Sequence, residues 1–267
     1  MIEHSLQLPL SLGLFQDSGI FHAPDGADLT RIILRWAHFV AGITWIGILY
    51  FFNLVNVNFM KALDGPTKKV VVPELMPRAL WYFRWGAVVT VIAGLGYYAM
   101  YILRADVVNA NAAGAGASLG LILLVWLVIG AAAWAVYRFG LLGPLSKDGR
   151  ILGIAVAVLA VLMSVGIVYF LNGQLTAGTG ARADSYASNK TFSIGIGGAL
   201  GLIMLLNVWG VIWPAQKRII AATAAGTPPD AALARLAFLA SRTNAWLSLP
   251  MLFFMATSHG DWVIFGK

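Results

Sequence analysis

The 267-residue chain is 60% hydrophobic and only 11% charged, whereas a soluble domain carries about 25% charged residues. This composition excludes a soluble globular enzyme and predicts an all-α integral membrane protein, because lipid offers no partner for unpaired backbone groups. The sequence contains no cysteine, which excludes disulfides, thiolate metal sites, iron–sulfur clusters and covalent c-type haem attachment.

Six long uncharged runs predict six transmembrane helices, since about 20 apolar residues are needed to cross the hydrocarbon core. Arg242 interrupts the entry to the last run, so a bundle of five spans with a docked amphipathic helix is the alternative. The predicted helices cover 31–57, 80–103, 117–138, 151–172, 192–214 and 238–259.

The first 30 residues precede the predicted helices and contain no Lys or Arg. They therefore lack the basic n-region of a cleavable signal peptide. We expect residues 1–30 to form a tail on the outer side, in which Leu6 to Phe15 lie along the membrane interface as a short helix. Residues 31–267 are expected to form a single transmembrane helical domain.

Basic residues are concentrated in the connections that follow the odd-numbered helices. Because Lys and Arg near helix ends are retained in the cytoplasm, we predict these connections inside and both termini outside. The formal net charge of +7 is then explained by this topology and by attraction to anionic lipid, and it does not require a nucleic-acid partner. The basic residues predicted inside are Lys61, Lys68, Lys69, Arg78, Arg84, Arg138, Lys147, Arg150, Lys217, Arg218, Arg235 and Arg242, against Arg31, Arg35, Arg104, Arg182, Lys190 and Lys267 outside.

One face of the first predicted helix carries Arg31, Arg35, His38, Gly42 and Trp45, spaced by four, three, four and three residues. A b-type haem ligated by this histidine would need cations nearer the water for its propionates and a small residue one turn deeper for the porphyrin. The two arginines and the glycine match those requirements, so we predict that this face binds a haem.

The sixth predicted helix ends at His259, on the same side of the membrane as the start of the first. We therefore predict that His38 and His259 form a pair of metal ligands near the outer leaflet. Met255 and Met251 lie one and two turns below His259 and would supply an apolar wall or an alternative axial ligand. The competing interpretation is that both histidines are hydrogen-bonding anchors at the interface.

A second polar group gathers at the predicted inner ends of the helices. Amide and guanidinium groups there could bind a quinone head or a planar, acidic heterocycle. The competing interpretation is interfacial snorkelling and hydrogen bonding between helices. The group comprises Asn53, Asn56, Arg84, Trp85, Asn207, Gln216, Lys217, Ser241, Arg242 and Asn244.

Two further patterns favour structural roles. The tryptophans at predicted interfaces are typical of an aromatic belt, and four closely spaced glycines on the fifth helix permit close approach of another helix or of a flat cofactor. The tryptophans are Trp36, Trp81, Trp85, Trp213 and Trp262, and the glycines are Gly195, Gly197, Gly198 and Gly201.

Four motifs carry a family resemblance: RWAHFVAGITWIG (35–47), FRWG (83–86), NVWGVIWPAQK (207–217) and SRTNAWLSLPMLFFMATSHG (241–260). They resemble the N-terminal membrane domain of the bacterial integral-membrane urate oxidases, also called urate hydroxylases. The resemblance extends over nearly the whole chain from about residue 30. The residues it carries over are His38, Arg84, Trp85, Asn207, Gln216, Lys217, Arg242, Asn244 and His259.

The resemblance implies an oxidoreductase of the bacterial inner membrane that oxidises a urate-like donor and passes electrons to a cytochrome c or a quinone. Family members usually continue into a C-terminal cytochrome c domain. This chain stops at Lys267 and has no Cys-x-x-Cys-His, so we expect a separate cytochrome partner.

Two alternatives belong to other functional classes. The first is a noncatalytic anchor or assembly subunit of a respiratory complex, or a homo-oligomer, that uses its glycine-rich face and aromatic belt as interfaces. The second, a permease, would need a polar path through the midplane, and the apolar centres of helices three and four offer little of one.

Overall fold

The structure is a computed structural model that describes residues 23–259 and 263–265. Within these residues the chain forms six long helices. We number them α1 (Gly26–Ala62), α2 (Gly65–Ala112), α3 (Leu119–Leu141), α4 (Gly149–Gln174), α5 (Asn189–Ala224) and α6 (Ala231–Thr257).

Five of the helices in the described part of the chain, α1 to α5, are long and apolar enough to cross a membrane. The prediction of an all-α helical membrane bundle agrees with this architecture. The role of α6 as a sixth span and the outside position of both termini stay predictions. The proposed helix at Leu6 to Phe15, Trp262 and Lys267 lie outside the described residues.

Each helix begins where an Asp or Ser side chain accepts a hydrogen bond from a backbone N–H of the first turn. At α2, for example, Asp64 Oδ1 accepts from the Thr67 N–H at 3.0 Å, and this bonding lowers the pKa of Asp64. The other capping residues are Asp25, Ser118, Asp148, Ser188 and Asp230.

Most of the observed helices extend beyond the predicted ones, because all the caps except Ser118 lie outside the uncharged runs from which the boundaries were predicted. The largest difference is α2, which begins at Gly65 instead of residue 80 and continues through Pro73 and Pro77. Each proline removes one helical hydrogen bond, but this part of α2 packs against the end of α5, and that packing supports the helix.

Four helices contain a π-helical turn, a feature that is frequent at functional sites. The wider turn in α1 places Asn53 and Asn56 in the protein interior, and the one in α5 carries Trp209. The π-helical segments are Phe51–Asn56, Tyr98–Leu103, Val136–Leu141 and Val208–Ile212.

The helix α5 lies at the centre of the bundle. In its most apolar stretch 72% of the residues are buried, against 17–39% in the other four spans. It packs against α6, α3 and α4, while α1 and α2 pack together along their length.

The two ends of the bundle are named by their residues. The basic end contains the connections 63–64, 142–148 and 225–230, and the opposite end is the histidine end.

The histidine end is closed by the connection between α4 and α5. A short ribbon, β1 (Thr176–Ala177) and β2 (Asp184–Ser185), pairs antiparallel with Thr176 opposite Ser185. Asp106 of α2 is buried, and its Oδ2 accepts from the backbone N–H of Ser188 at 2.7 Å. This contact ties the end of α2 to the start of α5.

We expect Asp106→Ala to destabilise the protein by about 1.5–3 kcal/mol, because it removes a buried hydrogen bond to a charged group. Glu74→Ala is the control, since Glu74 pairs with Arg78 on an exposed surface and such pairs contribute about 0.2–1 kcal/mol. Denaturant unfolding of the detergent-solubilised protein, followed by circular dichroism, measures both. Equal effects of the two substitutions would contradict this account of the α2–α5 contact.

Candidate functional site

A cavity of about 690 Å³ lies between α1, α2, α5 and α6 toward the histidine end. Along α1 its lining runs from Arg35 to Tyr50, a distance of about 22 Å at 1.5 Å per residue. Its volume lies within the range of about 300–1,000 Å³ that is typical of ligand sites. His38 and His259 both line this cavity, so the structure brings the two predicted ligands to one space.

His38 is held against α2. Its Nδ1 lies 2.8 Å from the carbonyl oxygen of Thr90, and a carbonyl only accepts hydrogen bonds. Nδ1 therefore carries the proton and donates it, which leaves the lone pair on Nε2. The imidazole has room because residue 94 is glycine: an added Cβ would lie 2.6 Å from His38 Nδ1.

His259 is oriented in the same way by its own helix end. Its Nδ1 lies 2.8 Å from Ser258 Oγ and 3.2 Å from the Met255 carbonyl. Ser258 Oγ also lies 2.7 Å from that carbonyl. Because a carbonyl only accepts hydrogen bonds, the contact with Met255 favours the tautomer in which Nδ1 of His259 carries the proton.

The structure separates the two arginines of the predicted face on α1. Arg35, Gly42 and Trp45 line the cavity. Arg31 does not contribute to the lining, and its Cζ lies 5.7 Å from the Tyr101 ring centroid. Trp45 is 1% exposed, and its Nε1 has no hydrogen-bond partner among the residues that the structure describes. The cationic side chain that reaches the cavity from this face is therefore Arg35.

The glycines of α5 lie in two different environments. Gly195 lies against α4, where an added Cβ would meet Leu171 Cδ1 at 2.9 Å. Gly197 and Gly198 line the cavity but also allow close approach of Met255 and Trp126. At Gly201 an added Cβ would meet nothing within 4 Å, so here the missing side chain leaves open space in the cavity.

The rest of the lining is almost entirely apolar. Met251 and Met255 line the cavity, as predicted for the wall below His259. Our sequence reasoning missed Thr90, Gly94 and Trp126, which come from α2 and α3. Thr90 and Gly94 lie one helical turn apart, so they share a face of α2. This spacing is the feature of the sequence that could have identified them.

The second predicted group divides into separate contacts. Asn207 and Asn244 are fully buried, and Asn207 Nδ2 donates to Asn244 Oδ1 at 2.9 Å. Trp134 Nε1 donates to Asn207 Oδ1 at 3.0 Å, and Asn244 Nδ2 donates to the Met204 carbonyl at 2.9 Å. These amides connect α3, α5 and α6.

Two other amides of the group also contact neighbouring helices. Asn53 Nδ2 donates to Ser241 Oγ at 3.0 Å, joining α1 to α6. Asn56 Nδ2 contacts Met76 Sδ at 3.8 Å. Arg242 Cζ lies 5.3 Å from the Phe238 ring centroid on its own helix. Gln216 is half-buried. As a single substrate or quinone site the group stays a prediction.

Arg84, Trp85 and Lys217 stand together with two tryptophans that our sequence reasoning did not assign to the group. Arg84 Cζ lies 3.9 Å from the Trp213 ring centroid, and Lys217 Nζ lies 5.5 Å from the same centroid. The Trp85 and Trp209 rings meet edge to face at 5.5 Å. We call these five residues the tryptophan–cation cluster.

Among the described residues, no three or more His, Asp or Glu side chains gather as a metal site would require. Within that part of the chain, the two imidazoles of the cavity are therefore not members of a three-ligand metal site. Two protein ligands suffice only where another molecule supplies the remaining coordination positions, as a porphyrin does.

The family model described as "Urate oxidase N-terminal" matches residues 64–266. The match includes His259 and the whole tryptophan–cation cluster, while Arg31, Arg35 and His38 precede it. No curated protein and no solved structure matches the chain. Since the family model covers well over half of the 267 residues, the chain belongs to the urate oxidase N-terminal family.

Proposed function

We propose that this protein is a urate oxidase-like redox protein of the bacterial inner membrane that holds a b-type haem between His38 and His259. The observation that carries the proposal is that both imidazoles line one cavity and each has its Nδ1 beside a backbone carbonyl. The proposed direction of electron flow is from a urate-like donor to a cytochrome c or a quinone, and family membership supports the donor.

The donor set of the cavity fits a haem. Histidines that ligate a metal commonly donate their other ring N–H to a backbone carbonyl or carboxylate, which fixes the ring orientation. Here the carbonyls of Thr90 and Met255 occupy that position. A porphyrin supplies four nitrogens to its iron, so two axial imidazoles complete the coordination.

The walls of the cavity also fit a flat, apolar ring with two carboxylates. Gly42 and Gly201 leave space beside the histidines, and Arg35 lies one turn from His38 toward the end of the bundle. A guanidinium is suited to pairing with a propionate. The apolar lining suits the apolar faces of a porphyrin.

When bound, the haem would accept and release single electrons. The role of the chain is to hold the imidazoles in one tautomer and to pair Arg35 with one propionate. His259 lies near the end of α6, where a periplasmic cytochrome c could approach if the predicted topology holds. A homo-oligomer or a respiratory-complex partner stays compatible with this arrangement.

The test is a difference spectrum of the detergent-solubilised protein, oxidised against dithionite-reduced, with haem and iron quantified. We expect b-type absorbance in the wild type and at least a tenfold loss of bound haem in His38→Ala and in His259→Ala. Loss of a second-shell partner alone costs about 10- to 100-fold in metal affinity. His22→Ala, whose histidine precedes α1, is the matched control and should retain the spectrum.

Size-exclusion chromatography of each variant shows whether the bundle is folded. Free imidazole added to the alanine variants should restore part of the absorbance. A wild-type protein without a chromophore, or unchanged spectra in both histidine variants, would refute the proposal. Copurification of a partner in the absence of a chromophore would favour the noncatalytic anchor instead.

A further inference from the structure

The tryptophan–cation cluster contains two positive charges on one indole. The Trp213 ring has the Arg84 guanidinium at 3.9 Å and the Lys217 ammonium at 5.5 Å from its centroid. Trp209 lies 5.8 Å from the same guanidinium. Two like charges held against one ring repel each other, and the indole offsets only part of that repulsion.

The cluster has no anion of its own. Among the described residues, neither Arg84 nor Lys217 forms an ion pair with a carboxylate. Nε of Arg84 is buried and, within the described chain, has no hydrogen-bond acceptor. A half-buried guanidinium with a free N–H favours an oxygen anion, since hydrogen bonds between charged groups are the strongest ones available to it.

The cluster lies on the outside of the bundle, between α2 and α5. Trp85 and Trp209 are 42% and 36% exposed, so the side of the cluster they form faces the surroundings of the bundle and not its interior. Arg84 immediately precedes the apolar run 85–103 of α2. We expect this position to lie at the boundary between hydrocarbon and headgroups, where tryptophan is enriched.

A groove of about 330 Å³ adjoins the cluster through Lys217. It is lined by Pro214, Lys217, Arg218 and Ala221, which lie on one face of α5. A second cation, Arg218, thus stands one residue from Lys217 and is exposed. The groove gives an elongated ligand a path along α5 away from Arg84.

We propose that the tryptophan–cation cluster is a binding site for the headgroup phosphate of an anionic phospholipid. The phosphate oxygens accept hydrogen bonds from the half-buried Arg84 guanidinium and from the exposed Lys217 ammonium, and the exposed tryptophans pack against the glycerol region. Basic pockets between transmembrane helices bind lipid headgroups in this way. A lipid is favoured over a water-soluble anion because the open side of the cluster is aromatic and lies at membrane depth.

Native mass spectrometry with added lipid tests the proposal. The purified protein is titrated with phosphatidylglycerol and, separately, with phosphatidylcholine. We expect the wild type to prefer phosphatidylglycerol, and Arg84→Gln to weaken that binding about tenfold, as expected for one lost charge-assisted hydrogen bond. Arg78→Gln is the matched control, because Arg78 is on the same helix but is already paired with Glu74. It should stay within about twofold of the wild type.

Lys217 is exposed on α5, and Lys217→Gln should also weaken phosphatidylglycerol binding. This variant provides the test if Arg84→Gln does not fold. Equal binding of the two lipids by the wild type, or unchanged phosphatidylglycerol binding in both variants, would overturn the proposal. Displacement of phosphatidylglycerol by urate would also overturn it, because the cluster would then take a planar anion. No chromophore is needed, so the result is independent of the haem proposal.

Discussion

Gly94→Ala is expected to abolish haem binding while leaving the bundle folded. The added methyl would lie 2.6 Å from His38 Nδ1, well inside van der Waals contact. Because the imidazole is a side chain that can rotate, it moves and loses its hydrogen bond to the Thr90 carbonyl. We expect bound haem to fall at least tenfold, measured by the reduced-minus-oxidised spectrum per mole of protein.

Gly96→Ala is the matched control for this substitution. Gly96 lies two residues further along α2, and its added methyl would meet Leu34 Cδ2 at 3.6 Å, an ordinary contact. The variant should keep the wild-type spectrum and wild-type stability. If Gly94→Ala retains full haem absorbance, then His38 does not ligate the haem in the orientation described above.

The second large effect is expected on stability. Asn207→Ala removes the acceptor of Trp134 Nε1 and the donor to Asn244 Oδ1, so the buried Asn244 oxygen and the half-buried Trp134 N–H lose their partners. Interhelical hydrogen bonds in membrane proteins contribute about 0.6 kcal/mol on average, whereas an unsatisfied buried group costs about 1–3 kcal/mol. The unsatisfied groups therefore dominate, and we expect a loss of about 2–4 kcal/mol.

Unfolding in a denaturing detergent, followed by circular dichroism, measures this loss. Asn58→Ala is the control because Asn58 is exposed on α1, and surface substitutions usually change stability by less than about 0.5 kcal/mol. A double-mutant cycle with Asn244→Ala isolates the coupling between the two amides. An effect of Asn207→Ala no larger than that of the control would contradict the structural role of these amides.

These contacts also explain why the two groups of polar residues were not equally predictable. The face of α1 was visible because helical periodicity is local, and Arg35, His38, Gly42 and Trp45 do line one cavity. For the inner group, the sequence showed only that the residues lie at the same depth. It could not show that Asn207 and Asn244 bind each other, since their separation of 37 residues carries no periodic signal.

The helices were likewise predictable in their centres but not at their ends. Hydropathy located the apolar centre of every helix, because burial in lipid requires it. The starts were decided by capping side chains such as Asp64 and Asp230. The end of α5 is set by Gly226, whose φ of +72° permits the bonds from Gly226 N–H to the Thr223 carbonyl and from Thr227 N–H to the Ala222 carbonyl.

The sequence by itself determined that the chain is a helical membrane protein, which residues share a face of α1, and which family it belongs to. Those properties follow from composition, periodicity and local motifs. Only the tertiary structure decided that Gly94 makes room for His38, and that Arg84 packs on Trp213 without an anion. The physical reason is that each of these contacts joins different helices, so it depends on how the helices pack and not on the order of residues within any one of them.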